Sequence, residues 1–185
     1  VTSASSLSKG QQRVESFIGS LEFTLTAAQI RVINDITGDL SKSQPMMRML
    51  QGDVGSGKTI VAAIACLKAI LNKKQAALMA PTELLATQHY ESLSKLFKNH
   101  DLKISILTGS IKKSIREEIE YSILTGETNL IVGTHALFQE GVTFNNLELI
   151  VIDEQHRFGV KQRVALREKG GSENKHAHQL IMSAT

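Results

Sequence analysis

The sequence has no tryptophan, only 4% aromatic residues and a single cysteine among its 185 residues. So little aromatic surface argues against a grip on nucleic acid built chiefly on base stacking, because each stacked base needs a flat side chain beneath it. The lone Cys66 excludes an intrachain disulfide, and its place among Ile64, Ala65 and Leu67 makes it a small buried hydrophobe. That usage fits a reducing, cytoplasmic compartment. No apolar run approaches the ~18 residues of a membrane helix. The Ser-rich start VTSASSLSKG also lacks the apolar core of a secretion signal. Charge of one sign is scarce too, since 21 basic and 18 acidic residues leave a net +3. This tilts towards anionic partners, but a normally solvated surface carries the same balance. There is no internal repeat and no low-complexity tract beyond the start.

What remains is an ordinary soluble composition, 42% hydrophobic and 21% charged, in a length that suits one domain. Residues 1–24 show no sustained periodicity and read as a mobile leader or the end of a preceding domain or linker. Residues 25–185 read as the domain itself. A helix opens at Thr26 and carries Ile30, Ile33 and Ile36 on one side. After Pro45, strand-length apolar runs follow one another at 46–50, 76–80, 104–107, 130–132, 149–152 and 179–182. Amphipathic stretches lie between several of them. One places Leu84, Leu85, Leu93, Leu96 and Phe97 largely on one face. Another spaces Ile111, Ile115, Ile119 and Ile123 four apart, with Arg116 and Glu120 able to pair outside. The alternation predicts an α/β fold, a mostly parallel sheet with helices on both faces, and such sheets bind ligands at the carboxyl ends of their strands.

The segment Gly52-Asp53-Val54-Gly55-Ser56-Gly57-Lys58-Thr59 has the spacing GxxxxGKS/T directly after a predicted strand and before a helical run. Its glycines let the backbone turn so that successive N–H groups face phosphates, and the helix adds its positive end. Lys58 would reach the β- and γ-phosphates of a nucleotide such as ATP, and the Thr59 hydroxyl would take one position on Mg²⁺. The metal also needs an acid at the end of a buried strand. Leu149-Ile150-Val151-Ile152-Asp153-Glu154 supplies Asp153 as that partner and Glu154 as the base that orients or deprotonates the attacking water. The bland alternative is a pair of acids capping the next helix.

Asp153-Glu154-Gln155-His156 resembles the DExH box of superfamily 2 helicases, and the longer run DEQHRFGVKQR, residues 153–163, resembles the RecG-type helicases in particular. The resemblance implies a RecA-like P-loop domain in which Lys58, Asp153, Glu154, Gln155 and His156 serve catalysis. Other segments match in the same order. Gln29 resembles the glutamine that reads adenine. Pro81 and Thr82, then Gly109 and Ser110, then Thr134 and His135 resemble three DNA-contacting motifs, and Ser183-Ala184-Thr185 resembles the motif that couples hydrolysis to movement. The implied partners are branched DNA, forks and four-way junctions, with a second motor domain and a wedge domain in the same full-length, monomeric chain. Physics supports the DNA motifs, because they fall at or just after strand ends, where backbone N–H groups and short hydroxyls can meet phosphates without reading bases.

Some residues keep plainer readings. His176 and His178 lie in a polar stretch without cysteines and read as a solvated loop. Lys73 and Lys74 near a helix end read as compensation of its dipole. For Arg157, Lys161 and Arg163 a structural or coupling role and a direct DNA contact are equally open. Two rival functions also stay open: another superfamily 2 motor such as the transcription-repair coupling translocase, and a nucleotide-dependent switch that never moves along DNA.

Overall fold

The computed structural model describes residues 3–51, 56–139, 141–153 and 176–183. Within them, six strands form one parallel sheet in the order β1-β6-β5-β2-β4-β3. The strands are β1 Met47–Gln51, β2 Gln75–Met79, β3 Ile104–Leu107, β4 Leu130–Gly133, β5 Leu147–Asp153 and β6 His178–Ser183. β2, β4 and β5 are mostly apolar for a physical reason, with Gln75, Glu148 and Asp153 the polar residues. Both their faces are covered, so no position can face water. Alternate residues divide between two cores. Leu78, Val132 and Val151 join the core shared with the first four helices, whereas Met79, Ile131 and Ile152 join the one on the opposite face.

The helices are α1 Gln11–Gly19, α2 Ala27–Leu40, α3 Ser56–Leu71, α4 Glu83–Leu96 and α5 Lys113–Thr125. Thr26 caps α2 reciprocally with Gln29, as the expected opening requires. α3 is apolar nearly all round, and every residue from Ile60 to Ala69 is buried, so it runs through the domain rather than along its surface. Cys66 sits in it, and burial pushes its thiol up to about 12, which makes it inert.

Three expectations need correction. The Ser-rich start is not a loose leader as far as it is described. Val14 and Phe17 of α1 are buried, Phe17 stacks on Phe97 at 5.1 Å, and Leu7 N–H donates to the Leu40 carbonyl. Its helix is too short to show a periodic signal, yet tertiary packing holds it. His178 is no solvated loop residue. It opens β6 fully buried, with Nδ1 accepting from Met46 N–H at 2.9 Å and Nε2 bonded to the Ser5 carbonyl at 2.8 Å. Burial lowers its pKa, against a smaller opposing pull from Ser5. Finally, Ile30, Leu84 and Ile115 are exposed. In α5 the cause is geometric, because residues four apart drift by about 40° per step around a 3.6-residue helix and cannot all keep one face. Ile123 is buried, Ile119 packs partly and Ile115 has turned out to solvent, while Arg116 and Glu120 pair at 2.8 Å as expected.

Candidate nucleotide and nucleic-acid site

The strand register brings the carboxyl ends together. Gln51 lies beside Ser183 and Asp153 beside Met182, while Met79 lies beside both Ile152 and Gly133. Residues predicted to act on phosphate therefore emerge along one edge of the sheet.

Between Gln51 and the head of α3 the chain passes through Gly52, Asp53, Val54 and Gly55, which lie outside the described residues. Gly57, Lys58 and Thr59 form the first turn of α3, half-buried. That turn carries no acid, so nothing there neutralises the positive end of the helix, and the burial of the following turns fixes where that end points. Lys58 Nζ donates to the carbonyl oxygen of Ser183, which joins the phosphate-loop lysine to the end of β6. Ala184 and Thr185 lie outside the described residues.

Gln29 comes to the same place from α2. A Cβ on Gly57 would stand 2.9 Å from Gln29 Nε2, which places the end of the Gln29 side chain against the first turn of α3. The capping box also fixes the amide. Thr26 N–H can only donate, so the Gln29 atom 2.8 Å away must be the oxygen, and the NH₂ is the end presented towards Gly57.

Asp153 ends β5, 6% exposed, and Glu154, Gln155 and His156 after it lie outside the described residues, as do Arg157, Lys161 and Arg163. Its Oδ2 lies 2.7 Å from His89 Nε2 on α4. Sequence reading missed His89. The signal was present, since Ala86, His89 and Leu93 share the inward stripe of α4 and the histidine interrupts two fully buried apolar residues.

Among the described residues, the donors predicted for a metal are the Thr59 hydroxyl and the Asp153 carboxylate. No cluster of three or more His, Cys, Asp or Glu side chains that could hold a metal occurs among the described residues. This sparse oxygen set fits Mg²⁺, which is commonly bound by one or two carboxylates together with substrate phosphates and water rather than by an all-protein cage.

The remaining predicted contacts follow β2, β4 and β3. Thr82 is exposed and caps α4, its Oγ1 accepting from Leu85 N–H at 3.2 Å, and Pro81 beside it is half-buried. Gly109 and Ser110 are exposed after β3. Ser110 is already occupied: its N–H and its hydroxyl both donate to the Glu83 carboxylate, each at 3.1 Å. Gly133 lets β4 approach β3, because a Cβ there would fall 2.5 Å from the Leu107 carbonyl oxygen. Thr134 after it is buried and caps a short 3₁₀ turn, so the outward group at this motif is His135.

Comparison with known proteins agrees with this fold. Residues 26–185 match the DEAD/DEAH box helicase family. The ATP-dependent DNA helicase RecG of Haemophilus influenzae is 55% identical over 172 residues, covering 92% of this chain and 25% of that protein. Its counterpart in Bacillus subtilis is 54% identical over 154 residues, covering 83% of this chain and 23% of that protein. The chain thus spans about a quarter of the length of the curated relatives it matches. A solved structure of RecG bound to a three-way DNA junction superposes with a TM-score of 0.86 at 39% identity, covering 99% of this chain and 24% of that one. The DEAD-box helicase Mss116, bound to single-stranded RNA, is 19% identical with a TM-score of 0.74 over 98% of this chain and 41% of its own, and shares the RecA-like fold.

Proposed function

The chain belongs to the DEAD/DEAH box helicase family, and from that premise we propose that it is the ATP-binding motor domain of a RecG-type DNA helicase acting on forks and four-way junctions. Residues 25–185 are the motor unit, with α1 packed on its core. A second motor domain and a wedge domain of the full-length chain are its partners, and it works as a monomer in the cytoplasm. Among the described residues no helix is long and apolar enough to cross a membrane.

The observation that carries this reading is the meeting of Lys58, Ser183 and Asp153 on one edge of a parallel sheet whose neighbouring strands end in exposed, uncharged phosphate-contact motifs. Gly52 to Thr59 cradle the nucleotide phosphates. Lys58 exchanges the Ser183 carbonyl for a phosphate oxygen, so loading the site releases Lys58 from the end of β6, where the coupling element Ser183-Ala184-Thr185 begins. Gln29 offers its oriented amide to the adenine edge. Thr59 and Asp153 hold Mg²⁺, which when bound neutralises charge on the phosphates. Glu154 orients the attacking water, with Gln155 and His156 beside it. Thr82, Gly109, Ser110 and His135 meet the DNA backbone without reading sequence, as a motor that crosses any sequence requires.

The test is the ATPase rate of the full-length protein without DNA, with linear duplex and with a fork. The fork should stimulate most. Residues 1–185 alone should stay near background, because the arginines that meet charge on the transferred phosphate come from a second motor domain in the helicases this chain resembles, and such groups are worth ~10³ to 10⁵ in turnover. Equal rates on all three substrates would sink the branched-DNA reading, and a fragment as fast as the full-length enzyme would sink the two-domain one.

A further inference from the structure

Asp153 has a partner that the phosphate site does not supply. Its Oδ2 and His89 Nε2 stand 2.7 Å apart, with only 9% and 13% of the two side chains exposed. His89 belongs to α4, the helix that begins at the predicted DNA edge. Thr82 caps that helix, and Glu83 in its first turn holds Ser110 after β3. His89 follows about two turns further along, on the inward stripe. A single rigid helix therefore touches the DNA motifs at its head and the metal acid along its side.

We propose that His89 is a positioning residue for the metal acid, tying Asp153 to α4 so that engagement of DNA at the head of the helix is felt at the metal. The inference rests on the reading of Asp153 as the Mg²⁺ partner and of Thr82 and Ser110 as DNA contacts. An ionised carboxylate can only accept, so the hydrogen lies on His89 Nε2 and Oδ2 is committed to the helix, in a carboxylate that would help hold the metal. One hydrogen bond thus fixes the rotation of a carboxylate at a strand end. It is short and nearly dry, and hydrogen bonds weaken steeply as length and angle depart from the optimum. A small shift of α4 along its axis is then enough to turn Asp153 away from or into its working orientation. Partners that hold a metal ligand in place are commonly worth about 10-fold to 100-fold in metal affinity or activity.

The experiment uses the full-length protein and three variants. His89→Ala removes the donor, His89→Asn keeps polarity on a side chain too short to reach, and His89→Gln keeps an N–H donor at nearly the original reach. The first readout is the Mg²⁺ concentration for half-maximal binding of a fluorescent ADP, followed without DNA. The second is the ratio of ATPase rates with and without forked DNA. Ala and Asn should raise the Mg²⁺ midpoint by about 10-fold and lower the stimulation ratio, with Mg²⁺-free ADP binding unchanged and Gln recovering most of both. A purely structural histidine would weaken Mg²⁺-free binding equally and show no rescue by Gln, and either result overturns the proposal. So does a midpoint in Ala and Asn within about twofold of wild type. If Ala does not fold, the contrast between Asn and Gln decides in the same way. A wild-type protein that DNA fails to stimulate would sink the helicase reading instead, while the Mg²⁺ midpoint, read without DNA, still decides the part played by His89.

Discussion

The two halves of the sheet's carboxyl edge are built on different terms. Along β1, β6 and β5 the functional groups are drawn inward. Asp153 is nearly buried and bonded to His89, Lys58 is bonded to the Ser183 carbonyl, and the helix bearing Lys58 is enclosed from Ile60 onward. Along β2, β4 and β3 most of the groups stand outside, with Thr82, Gly109, Ser110 and His135 exposed, while Pro81 is half-buried and Thr134 buried. Thr82 caps its own helix, and Ser110 holds the Glu83 carboxylate of α4. The difference follows from the work proposed for each half. Stabilising charge in a transition state requires dipoles that need no reorganisation, and burial supplies that rigidity. Gripping and releasing a backbone at every step requires donors that exchange one partner for another at little cost, and an exposed surface supplies that.

The largest effect that could break this contrast is expected from Lys58→Ala. It removes the cation of the phosphate half, and ATPase activity of the full-length protein should fall by ~10³ or more, the scale for losing a preorganised charge at a transferred phosphate. Its DNA affinity without nucleotide should not change. A parallel loss of DNA affinity would show that the two halves are one. Glu154→Gln comes next. It keeps shape and a hydrogen bond but loses the base, so hydrolysis should drop by ~10² while nucleotide binding survives. If binding and hydrolysis fall together, Glu154 holds metal or structure instead. Asp153→Asn should act more gently and through the metal, raising the Mg²⁺ requirement of nucleotide binding by roughly 10-fold. A variant with wild-type Mg²⁺ dependence would remove Asp153 from the metal site.

The same contrast explains what could be read in the sequence. The parallel sheet was legible because its central strands are enclosed on both faces and are therefore mostly apolar, with Gln75 in β2 and Glu148 and Asp153 in β5 as the polar residues. The GxxxxGKT spacing could be picked out because its signal lies in neighbouring residues of the chain, and the structure adds that Ser183 reaches Lys58. The inward place of His89 could be read from the stripe of α4, but the partners of His89 and His178 could not. Each histidine is held by a residue far away in the chain, Asp153 for one and Ser5 with Met46 for the other, and no spacing rule connects such partners. α1 was missed for a related reason: its two buried residues, Val14 and Phe17, are too few to make a periodic signal, and it is packed in place by α3 and Phe97. The four-apart isoleucines of α5 misled in the opposite direction, because spacing alone ignores the drift of the helix.

The smallest expected effect tests the exposed half directly. Ser110 offers a backbone N–H and a hydroxyl, the pair of donors a phosphate oxygen would take, and Glu83 holds both with its carboxylate. The carboxylate is an anion in the place of an anion, so DNA must displace it or lie beside it. Glu83→Gln removes the charge without emptying the position, since the amide oxygen can still accept from Ser110 N–H and the NH₂ can donate to the hydroxyl oxygen. The variant should therefore bind forked DNA more tightly, by about 2- to 5-fold, which is what one exposed charge interaction of up to ~1 kcal/mol allows. The gain should shrink as salt is raised, because exposed charges are screened beyond about 10 Å at 0.1 M ionic strength. Ser110→Ala should weaken binding by a similar factor, whereas Lys58→Ala should leave it alone. The measurement is the anisotropy of a labelled fork titrated with full-length protein in the absence of nucleotide, at two salt concentrations. Weaker binding by Glu83→Gln would mean that the carboxylate is the scaffold that presents Ser110 rather than its competitor. The exposed half would then be as preorganised as the buried one, and the contrast between them would lie in solvent access alone.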